Sequence, residues 1–271
     1  MELSQINLDL MIGVTRQCNF ACAHCLRGDA EKDSFNVEYL ESFIIKNNID
    51  HIDNLTLTGG EPFLRVDILH KILGTLKNFS ITVNSYYIAT NGSRFNKDSI
   101  EFILDLHNYC EDNDISCITV SNSPYHQEER ARIGGLHVDQ QYDNLADVIE
   151  WFDLYYIYED DSIDFYGISL EDIKFSREKP EHYGSLLNEG RALDNGLGDR
   201  DITPESEILD DDIDDLYVRS FIYLNEIGNV VPDYCDFSFE TQDNGDLKNV
   251  EDFNLLNHVE EFVKSNLKDL L

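Results

Sequence analysis

The hydrophobic and polar positions of the chain follow two alternating periods, and this alternation predicts an α/β fold. Short apolar runs rich in β-branched and aromatic residues predict strands, and amphipathic segments at helical spacing follow them. The predicted strands are residues 8–15, 54–58, 80–90, 116–121, 164–168 and 172–175. The predicted helices are residues 36–45, 67–76, 97–110 and 139–158. Strands that alternate with helices in this way form βαβ units around a parallel sheet.

The last part of the chain has a different pattern. Residues 217–224 and 229–231 are apolar and flank a turn that contains Gly228, which predicts a β-hairpin. Residues 254–271 predict an amphipathic helix. The predicted parts of the chain are a core domain at 1–193, an exposed acidic connection at 194–216, and a small hairpin-and-helix extension at 217–271.

The charge of the chain is strongly negative. Its 271 residues include 20 Lys and Arg against 54 Asp and Glu, for a formal net charge of −34. A surface of this sign repels phosphate backbones, so nucleic acid is excluded as the main partner. It suits a cationic partner such as a basic peptide, although solubility or adaptation to salt explains the same composition.

Two further features indicate where the protein works. No apolar run approaches the roughly 18 residues of a membrane span, and the N-terminus lacks the basic and apolar regions of a signal peptide. We therefore expect a cytoplasmic protein without a membrane partner. Six cysteines are present, and their clustering favours metal ligands over disulfides in such a chain.

Three of the cysteines follow the first predicted strand with the spacing CxxxCxxC. Cys18, Cys22 and Cys25 form a three-point mount of thiolates, which are suitable ligands for iron. Four thiolates would saturate a four-iron cluster, so three leave one iron open to a small molecule. A zinc site made by these cysteines and His24 is the alternative, but four ligands within eight residues would be crowded for structural zinc.

Polar and glycine-rich segments also end the next three predicted strands. Gly59-Gly60-Glu61-Pro62 follows the second strand, Asn91-Gly92 the third, and Ser121-Asn122 the fourth. Glycines let the backbone approach a ligand closely, and a glutamate can accept a hydrogen bond from an ammonium group. Each segment alone is an ordinary turn. Because parallel strands place their carboxyl ends at one edge, we expect these segments to share a site with the cysteines.

In this order, the CxxxCxxC loop and the GGEP segment resemble the radical S-adenosylmethionine (radical SAM) superfamily, over about residues 8–125 and more loosely to residue 191. The resemblance implies a partial (β/α)6 TIM-like barrel. It implies that Cys18, Cys22 and Cys25 ligate one [4Fe–4S] cluster whose open iron chelates S-adenosylmethionine (SAM). The further cofactor contacts that it implies are His24, Gly59, Gly60, Glu61, Asn91, Ser121, Asn122 and Arg191.

The resemblance also implies an activity. An external one-electron donor would reduce the cluster, SAM would be cleaved to a 5′-deoxyadenosyl radical, and the radical would abstract a hydrogen atom from a substrate. Residues 188–192 resemble the GRA segment of the branch that modifies peptides and proteins, and Arg191 could contact a carboxylate there. This branch favours a peptide or small-protein substrate, with epimerisation or cross-linking as the outcome.

The segment 225–235 looks like the hairpin that opens a SPASM or twitch extension, which binds auxiliary clusters through several more cysteines. Only Cys235 stands there, so an auxiliary cluster is not expected. A lone thiol near a substrate radical could donate a hydrogen atom, which makes Cys235 a candidate catalytic residue beside the ordinary interpretation of a structural cysteine. Three alternatives stay open: an enzyme acting on a small molecule or nucleoside, an activating enzyme that installs a glycyl radical, and a zinc-binding interaction protein.

Overall fold

A computed structural model describes most of the chain. The described residues are 3–94, 97–113, 115–121, 123–133, 175–177, 186–199, 201, 206–210, 216–233 and 237–267. Helices and strands are numbered in chain order over these ranges. The predicted helix at 139–158 and the predicted strand at 164–168 lie outside them, and of the predicted strand at 172–175 only residue 175 lies inside.

The described strands form one sheet. They are β1 (Leu3–Gly13), β2 (His51–Thr58), β3 (Thr82–Thr90), β4 (Cys117–Val120), β5 (Phe175–Arg177), β6 (Glu207–Asp210), β7 (Leu216–Leu224), β8 (Asn229–Pro232) and β9 (Lys248–Asn249). Their spatial order is β5-β4-β3-β2-β1-β7-β8-β9, with β6 also paired to β7. All neighbours from β5 to β7 are parallel, and β6, β8 and β9 pair in the antiparallel sense. The α/β class with a parallel-rich sheet is therefore confirmed, while the implied barrel remains a prediction.

The helices are α1 (Val37–Asn47), α2 (Val66–Asn78), α3 (Lys97–Tyr109), α4 (Pro124–Arg132), α5 (Gly190–Asp194), α6 (Phe239–Asn244) and α7 (Leu255–Leu267), with a 3₁₀ turn at Pro62–Arg65. The predicted helices at 36–45, 67–76 and 97–110 correspond to α1, α2 and α3, and the C-terminal helix corresponds to α7. Within the part of the chain that the structure describes, no helix is long and apolar enough to span a membrane.

Each central strand presents two different faces. Leu10 and Ile12 of β1, Leu57 of β2 and Ile88 of β3 are buried in the main hydrophobic core, which also contains the apolar faces of α1, α2 and α3. The residues between them in sequence, such as Met11, line a cavity on the other face. The period of two in each strand thus separates a packed face from a face that can hold a ligand.

The predicted C-terminal hairpin is confirmed, but it is not a separate layer. β7 and β8 pair around Gly228, which has a left-handed φ of 85°. β7 also runs parallel to β1 over nearly its whole length, with Ile12 opposite Leu224. The sheet is therefore continuous between residues early and late in the chain, and the division into three parts remains a prediction.

Candidate functional site

The site lies at the carboxyl edge of the parallel strands, as the positions of the motifs predict. A cavity of about 390 Å³ opens there. The predicted site residues that line it are Cys18, Cys22, His24, Cys25, Gly59, Gly60, Asn91, Ser121 and Arg191. Glu61 is absent from this lining among the described residues, and Asn122 and Cys235 lie outside the described residues. The structure therefore brings three strand ends and one distant segment together around the cysteines.

The cysteine loop is held by backbone turns and by side chains from distant elements. The Cys25 N–H donates to the Cys22 carbonyl at 3.1 Å, which folds the second half of the loop. The Ala21 N–H donates to Glu129 Oε2 of α4 at 2.7 Å. Asn195 Nδ2 donates to the Ala23 carbonyl at 2.9 Å. The loop conformation is thus fixed from two sides, which keeps the three thiols facing one space.

The chemistry of the three thiols fits iron. Burial raises the pKa of the Cys18 thiol to about 12 and also raises the pKa of Cys22. A buried thiol gives up its proton when a metal supplies the positive charge that its surroundings lack. Two N–H groups already point at the Cys18 sulfur, from the Phe20 backbone at 3.4 Å and from Asn91 Nδ2 at 3.8 Å. These residues fit a cluster that leaves one iron without a thiolate.

The zinc alternative requires a particular spacing of the ligand atoms. Tetrahedral zinc with bonds of roughly 2.1–2.3 Å draws its ligand atoms into close mutual contact. Over the described ranges, no three His, Cys, Asp or Glu side chains are grouped closely enough to hold one metal ion. In a cubane cluster each thiolate binds its own iron, so the sulfurs stand farther apart. A zinc site and a cluster therefore require different spacings of the three sulfurs.

The glycines of the GGEP segment lie against the strand exit that leads to the cysteines. The Gly60 N–H donates to the Thr15 carbonyl at 2.6 Å, and the Glu61 N–H donates to the Gln17 carbonyl at 2.8 Å. A Cβ on Gly60 would lie 2.2 Å from the Gln17 oxygen. Gly59, with φ +138°, has a similarly close backbone neighbour in Thr15. Side chains are therefore excluded at both positions by the packing of two backbones.

Glu61 turns away from the cavity lining and into the protein. It is fully buried, and Oε1 accepts hydrogen bonds from Thr90 Oγ1 at 2.7 Å and the Phe63 N–H at 3.1 Å. Oε2 accepts one from the Asn91 N–H at 2.7 Å. Burial raises the pKa of this carboxyl to about 7, against the lowering effect of these hydrogen bonds. The carboxylate joins the ends of β2 and β3, and its predicted contact with an ammonium group remains a prediction.

Asn91 and Ser121 sit where the third and fourth strands end. Asn91 donates from Nδ2 to Asn19 Oδ1 at 3.1 Å, so it contacts the cysteine loop at two points. The Ser121 carbonyl accepts from Arg130 Nη2 at 2.7 Å, and the same nitrogen donates to the Asn91 carbonyl at 3.0 Å. The buried arginine therefore ties both strand ends together.

His24 belongs to an aromatic group beside the cysteines. Its ring stacks on Tyr125 with centroids 4.7 Å apart and meets His126 edge-on at 4.8 Å. Burial lowers the pKa of His24 to about 4 and that of His126 to about 3, so both rings are neutral at pH 7. Phe20 lies next to His126, with centroids 6.4 Å apart. This group gives one wall of the cavity a flat aromatic surface.

The GRA segment forms α5 and docks on the cysteine loop. The Arg191 N–H donates to the Cys25 carbonyl at 2.9 Å. A Cβ on Gly190, which has φ +49°, would lie 2.4 Å from the Leu26 oxygen. The Arg191 side chain does contact a carboxylate, but that carboxylate is Asp29 of the same chain, with Nη1 to Oδ1 at 2.8 Å.

Sequence reasoning missed the two arginines that flank the cysteine loop. Arg16 is 1% exposed and donates from Nη1 to Glu31 Oε2 at 2.7 Å and from Nη2 to Asp243 Oδ1 of α6 at 2.7 Å. Its guanidinium lies over the Phe239 ring, 4.6 Å from the centroid. Arg27 also lines the cavity. Cations are scarce in this chain, with 20 Lys and Arg against 54 Asp and Glu, and this scarcity is a signal that could have singled out both.

Comparison with known proteins agrees with this site. A family model described as a 4Fe-4S single cluster domain matches residues 11–141. The GTP 3',8-cyclase of Edwardsiella ictaluri is 33% identical over 95 residues, covering 33% of this chain and 28% of the relative. That of Mesorhizobium japonicum is 29% identical over 97 residues, covering 34% and 29%. The chain thus spans less than a third of the length of these curated relatives.

Two solved structures are similar over most of the chain. One is native anSMEcpe with bound AdoMet and Cp18Cys peptide, at 15% identity and a TM-score of 0.46, covering 92% of this chain and 79% of that one. The other is Streptococcus suis SuiB bound to precursor peptide SuiA, at 14% identity and a TM-score of 0.42, covering 93% and 64%. At this distance they bear on neither the substrate nor the roles of individual residues.

Residues 11–141, which contain the cysteine loop and the GGEP segment, are therefore similar to domains that hold a single [4Fe–4S] cluster. This similarity and the similarity to the cyclases support the resemblance to the radical SAM superfamily, whose second cofactor is SAM.

Proposed function

We propose that this chain is a radical SAM enzyme that abstracts a hydrogen atom from a peptide or small protein. The observation that carries the proposal is the single cavity shared by the three cysteine thiols, the Gly59-Gly60 backbone and the end of β3. When bound, a reduced cluster supplies the electron that cleaves SAM to methionine and a 5′-deoxyadenosyl radical.

The protein's own residues position these cofactors and limit water. Cys18, Cys22 and Cys25 would hold three irons, and Gly59 and Gly60 would present their backbone to a bound molecule, since both line the cavity. The cavity of about 390 Å³ lies in the size range of small-molecule sites. The His24 wall offers a flat aromatic surface for a planar ring. A radical formed there would be shielded by the sheet on one side and by the cysteine loop on the other.

The peptide part of the proposal is supported by additional space next to the cluster cavity. A second cavity of about 980 Å³ lies between α5 and α6 and shares Arg27, Gly28 and Phe239 with the first. Its lining includes several carboxylates, among them Asp194 and Glu240. A substrate longer than a single residue could therefore extend from the cysteine loop into an acidic surround, which suits basic side chains.

A second candidate is an enzyme that acts on a small molecule or nucleoside. The GTP 3',8-cyclase relatives favour it, because their name gives a nucleotide as the molecule that they act on. The two candidates share the cluster and SAM chemistry and differ in the molecule that loses the hydrogen atom.

The test begins with anaerobic reconstitution using iron and sulfide. We expect about four irons per chain, and release of 5′-deoxyadenosine and methionine from SAM on reduction. The Cys22→Ala variant should lose both properties. The matched control is Cys110→Ala, because Cys110 is buried in the hydrophobic core away from the cavity lining and should retain the cluster. A chain with a full cluster that does not cleave SAM would contradict the proposal.

The substrate class needs a separate measurement. Adding a candidate peptide should raise the rate of 5′-deoxyadenosine release and change the mass or stereochemistry of the peptide. If nucleosides accelerate SAM cleavage and a peptide library does not, the second candidate is correct. The same comparison with Cys235→Ala tests the predicted hydrogen-atom donor, because an unchanged product of unchanged stereochemistry would rule it out.

A further inference from the structure

The helix α4 buries charged side chains rather than apolar ones. Its buried residues are Glu129 and Arg130. Charged side chains are rarely buried unless polar partners compensate for the loss of water. The partners of these two residues lie in the cysteine loop and at the strand ends beside it. The buried face of α4 is therefore directed at the candidate site and not at the hydrophobic core.

Aromatic and cationic side chains of α4 lie against the rings of the cysteine loop. The Tyr125 ring stacks on His24, and the His126 ring meets His24 edge-on. The Arg130 guanidinium lies over the Phe20 ring, 5.9 Å from its centroid. These contacts between side chains bring α4 alongside the loop.

Glu129 contacts the backbone of the loop. Its Oε2 accepts a hydrogen bond from the Ala21 N–H at 2.7 Å. Ala21 directly precedes Cys22 in the sequence. A hydrogen bond from a backbone N–H to a carboxylate is charge-assisted and roughly twice as strong as one between neutral groups. The carboxylate therefore holds the segment that sets the direction of the Cys22 thiol.

Arg132 shares the same carboxylate, three residues further along α4. It donates from Nε to Oε1 of Glu129 at 3.0 Å and from Nη2 to Oε2 at 2.7 Å. The Arg132 side chain is 56% exposed, whereas that of Glu129 is 11% exposed. An ion pair with a solvated partner contributes little to stability. Its charges are ordered, however, because the carboxylate faces the loop and the guanidinium lies on the solvent side.

Both charges act electrostatically on Cys22. Burial is the largest cause that raises the pKa of this thiol, and the two other thiols of the loop and Glu129 raise it further. Glu129 is also the main cause that raises the pKa of Arg132, to which Cys22 contributes. The pKa of Glu129 is lowered chiefly by Arg132 and, more weakly, by Arg191 of α5. A charge that acts on a ligating thiol also acts on the uptake of an electron by the metal that it holds.

We propose that Glu129 positions the Cys22 end of the loop and that the Glu129–Arg132 pair sets the reduction potential of the cluster. This inference rests on the proposed function, because it requires that Cys22 holds one of the cluster irons. A carboxylate beside a cluster opposes the uptake of an electron, and a guanidinium favours it. The intact pair adds no net charge, so removing either member should shift the potential, and the two shifts should have opposite signs.

The experiment uses the full chain with its cluster reconstituted, as wild type, Glu129→Gln, Glu129→Ala, Arg132→Gln and the double variant Glu129→Gln with Arg132→Gln. The controls are Glu128→Gln and Lys46→Gln, which remove one charge each from exposed positions of α4 and α1. The midpoint potential is measured without SAM, by anaerobic redox titration followed by absorbance and electron paramagnetic resonance. The rate of iron loss to a chelator is measured for the same proteins.

Glu129→Gln keeps an oxygen that can accept the Ala21 N–H but loses the charge, so the midpoint potential should rise. Arg132→Gln should lower the midpoint potential, and the double variant should lie between the two single variants. The two control variants should shift it by less than about half as much, because solvent and salt screen exposed charges. Glu129→Ala also removes the acceptor, so it should lose iron about tenfold faster than Glu129→Gln.

Two results would overturn the proposal. The first is a shift of the potential in the same direction for Glu129→Gln and Arg132→Gln, or shifts no larger than those of the controls. The second is equal rates of iron loss from Glu129→Ala and Glu129→Gln. Should Glu129→Ala not fold, Glu129→Asp takes its place, because its shorter side chain keeps the charge but does not reach the Ala21 N–H.

The two proposals fail in different ways. A wild-type chain that assembles no cluster would overturn both. A wild-type chain with a full cluster that does not cleave SAM would overturn only the proposed function, because the potential is measured without SAM. A wild-type chain that cleaves SAM, with Glu129 and Arg132 variants that behave like the controls, would overturn only the role of the ion pair.

Discussion

Glu61 shows how one side chain can support a site without lining it. The sequence around it predicts a turn close to a ligand, and the glycines of that turn pack against the Thr15 and Gln17 backbone. The glutamate instead accepts three hydrogen bonds from the Phe63, Thr90 and Asn91 positions. It thereby fixes Asn91, whose amide nitrogen points at the Cys18 sulfur.

The raised pKa of Glu61 gives a pH prediction. Its folded pKa of about 7 lies above the usual 4.5, so its contribution to stability is fully present below about pH 4.5 and is lost as the pH rises through 7. Glu61→Gln cannot ionise. We expect the free energy of unfolding of the wild type, minus that of Glu61→Gln, to fall by up to about 3 kcal/mol between pH 4.5 and 8. Urea unfolding of both proteins in the same cluster state measures this difference.

Glu251→Gln is the control for this measurement, because Glu251 is an exposed carboxylate. The difference in the free energy of unfolding between wild type and Glu251→Gln should stay nearly constant over the same pH range. If the free energy of unfolding of the wild type minus that of Glu61→Gln grew with pH, the ionised carboxylate would favour the folded state, and the prediction would be wrong.

Individual residues were predictable to different degrees. The spacing of Cys18, Cys22 and Cys25 carries its own chemical meaning, because three thiolates on one short loop can meet. Arg27 is marked in the sequence only by the scarcity of cations, since its contacts are with Tyr223 and Phe237, which are some two hundred residues away in the sequence. Likewise, no local pattern shows that the partner of Arg191 is Asp29.

At the scale of elements, the short helix α6 is fastened to the cysteine loop. Arg16 precedes Cys18 by two residues, and its guanidinium forms a two-point contact with Asp243, from Nη1 at 2.9 Å and Nη2 at 2.7 Å. The Phe239 N–H donates to the Arg27 carbonyl at 2.9 Å. Phe239 itself lines the cavity. The placement of this wall therefore depends on an ion pair between residues 227 positions apart.

We predict that Asp243→Asn destabilises the protein by about 1–2 kcal/mol, because a two-point charged contact with buried Arg16 is lost while the Asp243 side chain itself is 40% exposed. Urea unfolding measures the change. The Asp243→Asn substitution should also speed the loss of iron to a chelator, since α6 closes one side of the cluster cavity.

The neighbouring variant Asp246→Asn removes an equal charge from an exposed position and should change stability by less than about 0.5 kcal/mol. In a double-mutant cycle, Arg16→Gln and Asp243→Asn should couple by about 1 kcal/mol or more. Additive effects of the two substitutions would show that the contact contributes nothing of its own.

The long periodic elements were predictable, and the short ones around the site were not. α1, α2 and α3 have clear apolar faces, so their patterns suffice. α4 has almost no apolar face, but Ser123 caps it and Pro124 occupies its first turn, a start signal that the sequence does contain. α5 and α6 have five and six residues, too few for any periodicity to emerge.

At the scale of the whole molecule, the net charge of −34 lowers the free energy of unfolding. Repulsion among so many carboxylates destabilises the compact state, and salt screens it over about 10 Å at 0.1 M. We predict that the thermal midpoint rises by about 3 °C or more between 20 and 500 mM NaCl at pH 7.5, as followed by circular dichroism.

The same salt series at pH 5 provides the control. There the protein is closer to its isoelectric point of about 4.2, so fewer charges repel and the rise should be smaller. An equal or larger rise at pH 5 would mean that salt acts through something other than the repulsion of carboxylates.

The pairing of β1 with β7 has a consequence for how the protein is made. A ribosome synthesises the cysteine loop within the first tenth of the chain, but the strand that flanks β1 is completed only at Leu224. During most of translation, the thiols therefore belong to a sheet that lacks one neighbour, and α6, which closes their cavity, emerges later still. We expect the cavity for the cluster to be complete only after α6 has been synthesised, because Phe239 of α6 forms part of its wall.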